Sequence, residues 1–243
     1  MSESPDTDPQ RRPLKPKPET KRLQTRRRVL EAALAVFQEN GFGQAGTAEI
    51  ARRAGVSHGT VFTVEPTKER LAVAAFGGQL RAIGEAAFTT VLTAAEPLPL
   101  PEQLEYVFEQ LYAFYGAHRG VSRAIMREVL LTTRPDGTGD HDQLLKDFLG
   151  GLEFQLRAAV MRGMLAPETD VGGLSGAIFG VYLLFLLALL NQAFPDDAER
   201  RKNCRLALQA TLHGHIAAGV SMQGFRGQGK SKTPIMPSHD QAR

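Results

Sequence analysis

A chain of 243 residues with 42% hydrophobic content is long enough for one large domain or two small ones with a packed core. Its single cysteine, Cys204, excludes a disulfide framework, and its polar, basic first thirty residues hold no apolar signal segment, so a cytoplasmic location is expected. The net charge of +3 is unevenly spread: residues 1–30 hold nine Lys/Arg against four Asp/Glu, residues 31–219 sixteen against twenty-one, and residues 220–243 four against one.

Residues 1–20 contain Pro5, Pro9, Pro13, Pro16 and Pro18 and almost no large apolar residue, which predicts a disordered basic arm. A helix follows from about Thr20 to Asn40, with Leu23, Val29, Leu30, Ala33, Leu34 and Phe37 inward and Asn40-Gly41 as a left-handed cap. The stretch Glu49–Phe62, EIARRAGVSHGTVF, reads as two short helices about a tight turn. Ile50, Ala51 and Ala54 make one small apolar face, Gly55 supplies a left-handed residue, Val56 plugs the junction and Ser57 caps the second helix. Small inward residues about a glycine turn are what a helix-turn-helix needs, because its two helices cross closely.

Pro66-Thr67-Lys68-Glu69 starts the next helix, with Thr67 as N-cap, and it runs from about Lys68 to Ala94 up to the proline-rich break EPLPLP at residues 96–101. From Glu102 a helix carries Leu104, Val107, Phe108, Leu111, Tyr112, Phe114 and Tyr115, and it breaks at His118, Arg119 and Gly120. The aromatics fit either ordinary core or the wall of a small-molecule pocket, which is mostly apolar with few polar groups. A helix at about Val121–Thr132 holds Ile125, Met126, Val129 and Leu130, and RPDGTGD at residues 134–140 is a loop. Residues His141–Met164 form a long amphipathic helix with Leu144, Leu145, Phe148, Leu152, Leu156 and Val160 buried, while Gly150-Gly151 allows a bend or a close helix approach.

The run Leu174–Leu190 is the most apolar in the chain, seventeen residues without charge, a little short of the roughly twenty that a membrane span takes. Acidic Asp170 and Asp196-Asp197 flank it, so burial against its own domain on one side and a second subunit on the other is the expectation, with no membrane. The final helix, about Asp196–Val220, carries Leu206, Leu208, Leu212 and Ile216, and residues 221–243 read as a disordered tail. His213 and His215, two apart, point to different faces, so no metal site is expected, and nothing in the chain calls for a cofactor. A phosphate loop, a G-x-S-x-G elbow, an H-E-x-x-H pair and paired cysteines are all missing, so an enzyme is not expected.

Ala32, Phe37, Gly41-Phe42, Ile50-Ala51, Ala54-Gly55-Val56-Ser57, Gly59-Thr60, Phe62 and Thr67-Lys68-Glu69-Leu71 together resemble the N-terminal DNA-binding domain of TetR-type transcriptional regulators. The resemblance implies an all-α chain: a three-helix DNA-binding domain at residues 21–66 and a helical ligand-binding and dimerisation domain at 67–220, of which 67–94 is the connecting helix. It implies double-stranded DNA with a palindromic operator, a small-molecule effector and a second copy as partners, and a repressor released by an apolar or aromatic ligand. The DNA-binding candidates are Thr47, Ser57, His58, Gly59, Thr60, Phe62, Thr63 and Lys68; His58 and Thr63 suit base edges, Thr60 and Lys68 phosphates. Phe108, Tyr112, Tyr115, His118, Met126, Phe148, Phe179 and Tyr182 are the effector-pocket candidates. Arg11, Arg12, Lys15, Lys17, Lys21 and Arg22 of the arm could follow the DNA backbone or enter a minor groove, or the arm is simply a solvated tail.

The chain departs from the family pattern at three places. Gly46 replaces the usual Ser/Thr cap of the motif's first helix, a role Thr47 could take one residue later. Phe62 stands where a phosphate-binding tyrosine is usual. Val64-Glu65 replaces an aromatic pair, and Glu65 is expected to turn outward while Val64 or Phe62 fills the gap. These departures favour an alternative, an interaction protein of the same fold that has lost sequence-specific DNA binding.

Overall fold

The computed structural model describes residues 20–96, 98–131 and 140–217. The arm at 1–19, most of the 134–140 loop and the 221–243 tail lie outside the described residues. Among those described, the chain is all-α: α1 (Lys21–Gln44), α2 (Thr47–Ala54), α3 (His58–Val64), α4 (Lys68–Thr93), α5 (Leu100–Ala117), α6 (Arg119–Leu131), α7 (Asp140–Met161), α8 (Val171–Leu190) and α9 (Asp197–Leu212), with a 3-10 turn at His213–His215.

α1, α2 and α3 form the N-terminal bundle, and α4 packs on both α1 and the C-terminal helices α5, α6 and α7. Val29, Ala33, Val36 and Phe37 of α1 are buried against this bundle, whereas Leu23, expected inward, is half exposed because the buried stripe begins only at Val29. Gly41 takes the left-handed φ of 69°, but the chain turns on as a kink and helical geometry resumes to Gln44.

The C-terminal helices are sewn together by ion pairs as well as by apolar packing. Arg200 of α9, only 3% exposed, donates from Nη1 and Nη2 to both carboxylate oxygens of Glu109 on α5 at 2.8 and 2.9 Å, and Arg205 donates from Nε and Nη2 to both oxygens of Glu105 at 2.6 and 2.9 Å. A buried guanidinium is tolerable only with such two-pronged pairing. α7 runs through Gly150-Gly151 without interruption, and Gly151 admits the ring of Phe88: a Cβ there would lie 2.5 Å from Phe88 Cε2. α9 ends earlier than its expected Val220, because the chain turns at His213–His215 and Ile216 bridges to Leu165. Leu208 and Leu212 of α9 are buried, but Leu206 is exposed, as are Leu184 and Leu187 of α8.

Candidate functional site

The helix-turn-helix is built by short-range contacts. Ile50, Ala51 and Ala54 of α2 and Val61 of α3 are buried, and Gly55 sits at φ 63°, ψ 41°, the left-handed cap that lets the chain reverse in one residue. Ser57 Oγ accepts the backbone N–H of Thr60 at 3.2 Å and lies 2.8 Å from Thr60 Oγ1, so its cap also fixes the threonine. Gly46 caps α2 without a side-chain bond, and Thr47 does not take over that role. Its Oγ1 lies instead 2.8 Å from Nε2 of the exposed His58, tying the start of α2 to the start of α3. Phe62, 41% exposed, meets the His58 ring edge-on at 5.0 Å, and Thr63 Oγ1 donates to the Gly59 carbonyl. Seven of the eight candidates, from Thr47 to Thr63, thus fall on α2, α3 and their junction. Lys68 begins α4, donating to the Gly43 carbonyl at 3.3 Å with its ammonium over the Phe42 ring at 4.7 Å.

Glu65 does not turn outward. Its side chain is 12% exposed and pairs with Arg26 of α1 and Arg70 of α4, each at 3.4 Å, so charge pairing holds together elements that an aromatic would have joined by packing. Its negative charge is matched locally rather than presented on the surface. On the outer side of α2, Glu49 bridges Arg52 and Arg53, and Arg53 also reaches Glu39 of α1. Those hydrogen bonds, first from Arg52 and then from Arg53, lower the Glu49 pKa to about 2. A groove lined by Lys21, Arg22, Thr25 and Arg26 of α1 runs beside Thr60 and Thr63 of α3. Among the described residues the basic side chains of this groove come from α1.

Beyond the bundle, α4, α5, α6, α7 and α8 enclose a cavity of about 340 Å³. Six aromatic rings face it, those of Phe88, Tyr115, Phe148, Phe154, Phe179 and Tyr182, with Phe148 and Tyr182 centred 4.6 Å apart. Of the eight pocket candidates, Tyr115, Met126, Phe148, Phe179 and Tyr182 line it. Phe108 and Tyr112 do not: both are buried one layer behind, where Tyr112 stacks on Tyr182 and donates to its backbone carbonyl at 2.8 Å. Tyr112 is turned toward α9, whose Arg200 lies over its ring at 4.9 Å. His118 also lies outside the cavity, packed on Phe76 of α4 and Phe114 of α5. Burial pushes the Tyr115 phenol up to about 12 and raises the Tyr112 and Tyr182 phenols well above their ordinary value, so these rings stay neutral.

Sequence reasoning missed the α4 wall of this cavity, which includes Leu80, Arg81, Gly84, Glu85 and Phe88, and it missed Asp147 on α7. The signal was present as an apolar stripe at 80, 84 and 88 beside a charged one at 81 and 85, each at four-residue spacing. Arg81 Nε donates to Asp147 Oδ2 at 2.6 Å, pinning α4 to α7 at the cavity's edge.

A kinked first helix, a glycine-turned helix pair and a long fourth helix leading to an apolar cavity make up a helix-turn-helix domain followed by a C-terminal helical domain. Residues 29–75 match the family model for bacterial regulatory proteins of the tetR family. No curated protein matches the chain by sequence. Among solved structures, a TetR-family transcriptional regulator from Mesorhizobium loti matches at 19% identity and a TM-score of 0.57, over 82% of this chain and 100% of that one. The transcriptional regulator FadR from Bacillus subtilis, in complex with stearoyl-CoA, matches at 19% identity and a TM-score of 0.55, over 80% and 99%. SmeT, repressor of the Stenotrophomonas maltophilia multidrug efflux pump SmeDEF, matches at 22% identity and a TM-score of 0.54, over 82% and 95%, and is also solved with triclosan. Residues 29–75 thus match the tetR-family DNA-binding domain, and the chain as a whole shares the fold of these solved structures.

Proposed function

We propose that this protein is a cytoplasmic, ligand-responsive transcriptional repressor that binds a palindromic operator as a homodimer and is released by a small apolar or aromatic effector. One observation carries the reading: the helix-turn-helix and the cavity share α4. Its first turn, capped by Thr67, sets Lys68 beside the helix-turn-helix, and its second half, from Leu80 onward, lines the cavity. A ligand that favours one position of this helix shifts the DNA-binding domain with it, and its differential affinity for the two positions sets the coupling. FadR with stearoyl-CoA and SmeT with triclosan support a largely apolar ligand.

In this reading His58 and Thr63 face base edges from α3, while Thr47, Ser57, Gly59, Thr60, Phe62 and Lys68 meet phosphates and sugars, with Lys21 and Arg22 adding charge. The dimer forms along α8 and α9. The outer stripe of α8, Ala177, Gly180, Leu184 and Leu187, is exposed and apolar, and Leu206 of α9 adds to the exposed apolar surface. Small residues at the start of this stripe let a second helix approach closely. Two copies would set their α3 helices about 34–36 Å apart, or further for spread half-sites. α8 is long and apolar enough to cross a membrane, yet its inner face packs on α5, α7 and α9, which suits a core helix with one face left for a partner.

The test is binding of the purified protein to its own upstream DNA at two salt concentrations. Palindrome-selective binding is expected, weakened in Lys68→Ala across all sequences with a salt slope shallower by about one. Absence of selective binding at low salt would refute the reading in favour of a helical interaction protein that no longer reads DNA.

A further inference from the structure

The charges around the cavity bear on what enters it. Among the described residues three charged side chains line it, Arg81, Glu85 and Asp147. Two of them cancel: Arg81 Nε lies 2.6 Å from Asp147, whose other oxygen accepts from Gln143 at 2.6 Å. Glu85, one helical turn beyond Arg81 on the same face of α4, makes no ion pair or side-chain hydrogen bond among the described residues. Among the described residues the lining therefore carries one uncompensated charge, a carboxylate at an exposed rim, beside six aromatic rings.

We propose that the effector is a hydrophobic organic cation, an aryl or alkyl ammonium whose charge rests at Glu85 and whose apolar body lies among Phe148, Phe179 and Tyr182. This rests on the cavity being the effector site. Ring faces carry negative quadrupole density and attract a cation, an effect added to that of the carboxylate. An anion would meet the same faces and the same carboxylate, and Arg81, its one cationic partner among the described lining residues, already shares its charge with Asp147. A neutral ligand would gain the burial but none of the charge attraction.

Calorimetric titration of the full-length protein with three matched probes, p-biphenylylmethylammonium, p-biphenylylmethanol and p-biphenylcarboxylate, tests this. The ammonium is expected to bind about tenfold more tightly than the alcohol, with the carboxylate weakest. Glu85→Gln, an exposed helical substitution, should weaken the ammonium about two- to fivefold and leave the alcohol unchanged. Equal affinities, or a preference for the carboxylate, would overturn the cation assignment and leave the cavity as an uncharged or anion-preferring effector site. Binding of none of the three, or binding untouched by Phe148→Ala, would remove the cavity reading and the cation with it.

Discussion

Gly150 and Gly151 are neighbours in α7 with opposite surroundings, and alanine at each should act with opposite sign. A Cβ at 150 meets nothing within 4 Å, whereas one at 151 would stand 2.5, 2.8 and 3.1 Å from three atoms of the Phe88 ring. Both substitutions gain the same helix propensity, about 0.8–1 kcal/mol, so their difference isolates the steric term. To restore ordinary carbon contacts of about 3.5 Å the ring must retreat by about 1 Å. Phe88 is 8% exposed and lines the cavity, so the ring has only the cavity to move into. Overpacking of this kind costs about 1–3 kcal/mol. Gly150→Ala should therefore stabilise by about 0.8–1 kcal/mol, and Gly151→Ala, after the same gain, should destabilise by up to about 2 kcal/mol. At about 2–4 °C per kcal/mol for a chain of this size, the steric difference of about 1–3 kcal/mol should part the two melting temperatures by about 2–12 °C when scanned at equal protein concentration. Gly151→Ala should also bind any cavity ligand more weakly. Equal melting temperatures and unaltered ligand binding would refute the seating of Phe88 against α7, and with it the shape assigned to the cavity.

Glu65→Ala should cost about 1–2 kcal/mol in urea denaturation, because two guanidinium groups lose a mostly buried partner; an unchanged midpoint would mean that solvent already screens those pairs. The Glu49 carboxyl should titrate near 2 rather than 4.5 in side-chain carbon NMR. The stabilisation from this depressed group is complete above pH 4.5 and fades as pH falls through 2, and Arg53→Gln should move the midpoint upward. A wild-type midpoint at 4.5 would show that the α2 network does not persist in solution. Tyr115 should remain un-ionised from its ordinary 10.0 up to about 12 in a tyrosinate absorbance titration. Stability should fall as pH rises across that interval, since the unfolded chain releases the proton first. Ionisation of Tyr115 at the ordinary value would place it in water rather than in the cavity wall.

The helix-turn-helix was legible in the sequence because its determinants are local. Ile50, Ala51, Ala54, Gly55 and Ser57 act on neighbours within a few residues, so spacing alone sets the two helices, the turn and the cap. The other helices followed from apolar periodicity, with shifted ends where a kink at Gly41 or the bridge to Leu165 intervened. Periodicity says which face of a helix is apolar but not what that face meets. Only tertiary structure could turn Glu65 inward, because Arg26 and Arg70 lie on different helices. Likewise only packing could separate Tyr115 from Phe108 and Tyr112, which share one apolar face of α5 but look toward the cavity and toward Tyr182 and α9 respectively. The cavity's charge balance was hidden for the same reason: Arg81 and Asp147 cancel across 66 positions of sequence, and Glu85 is left over only once they have met.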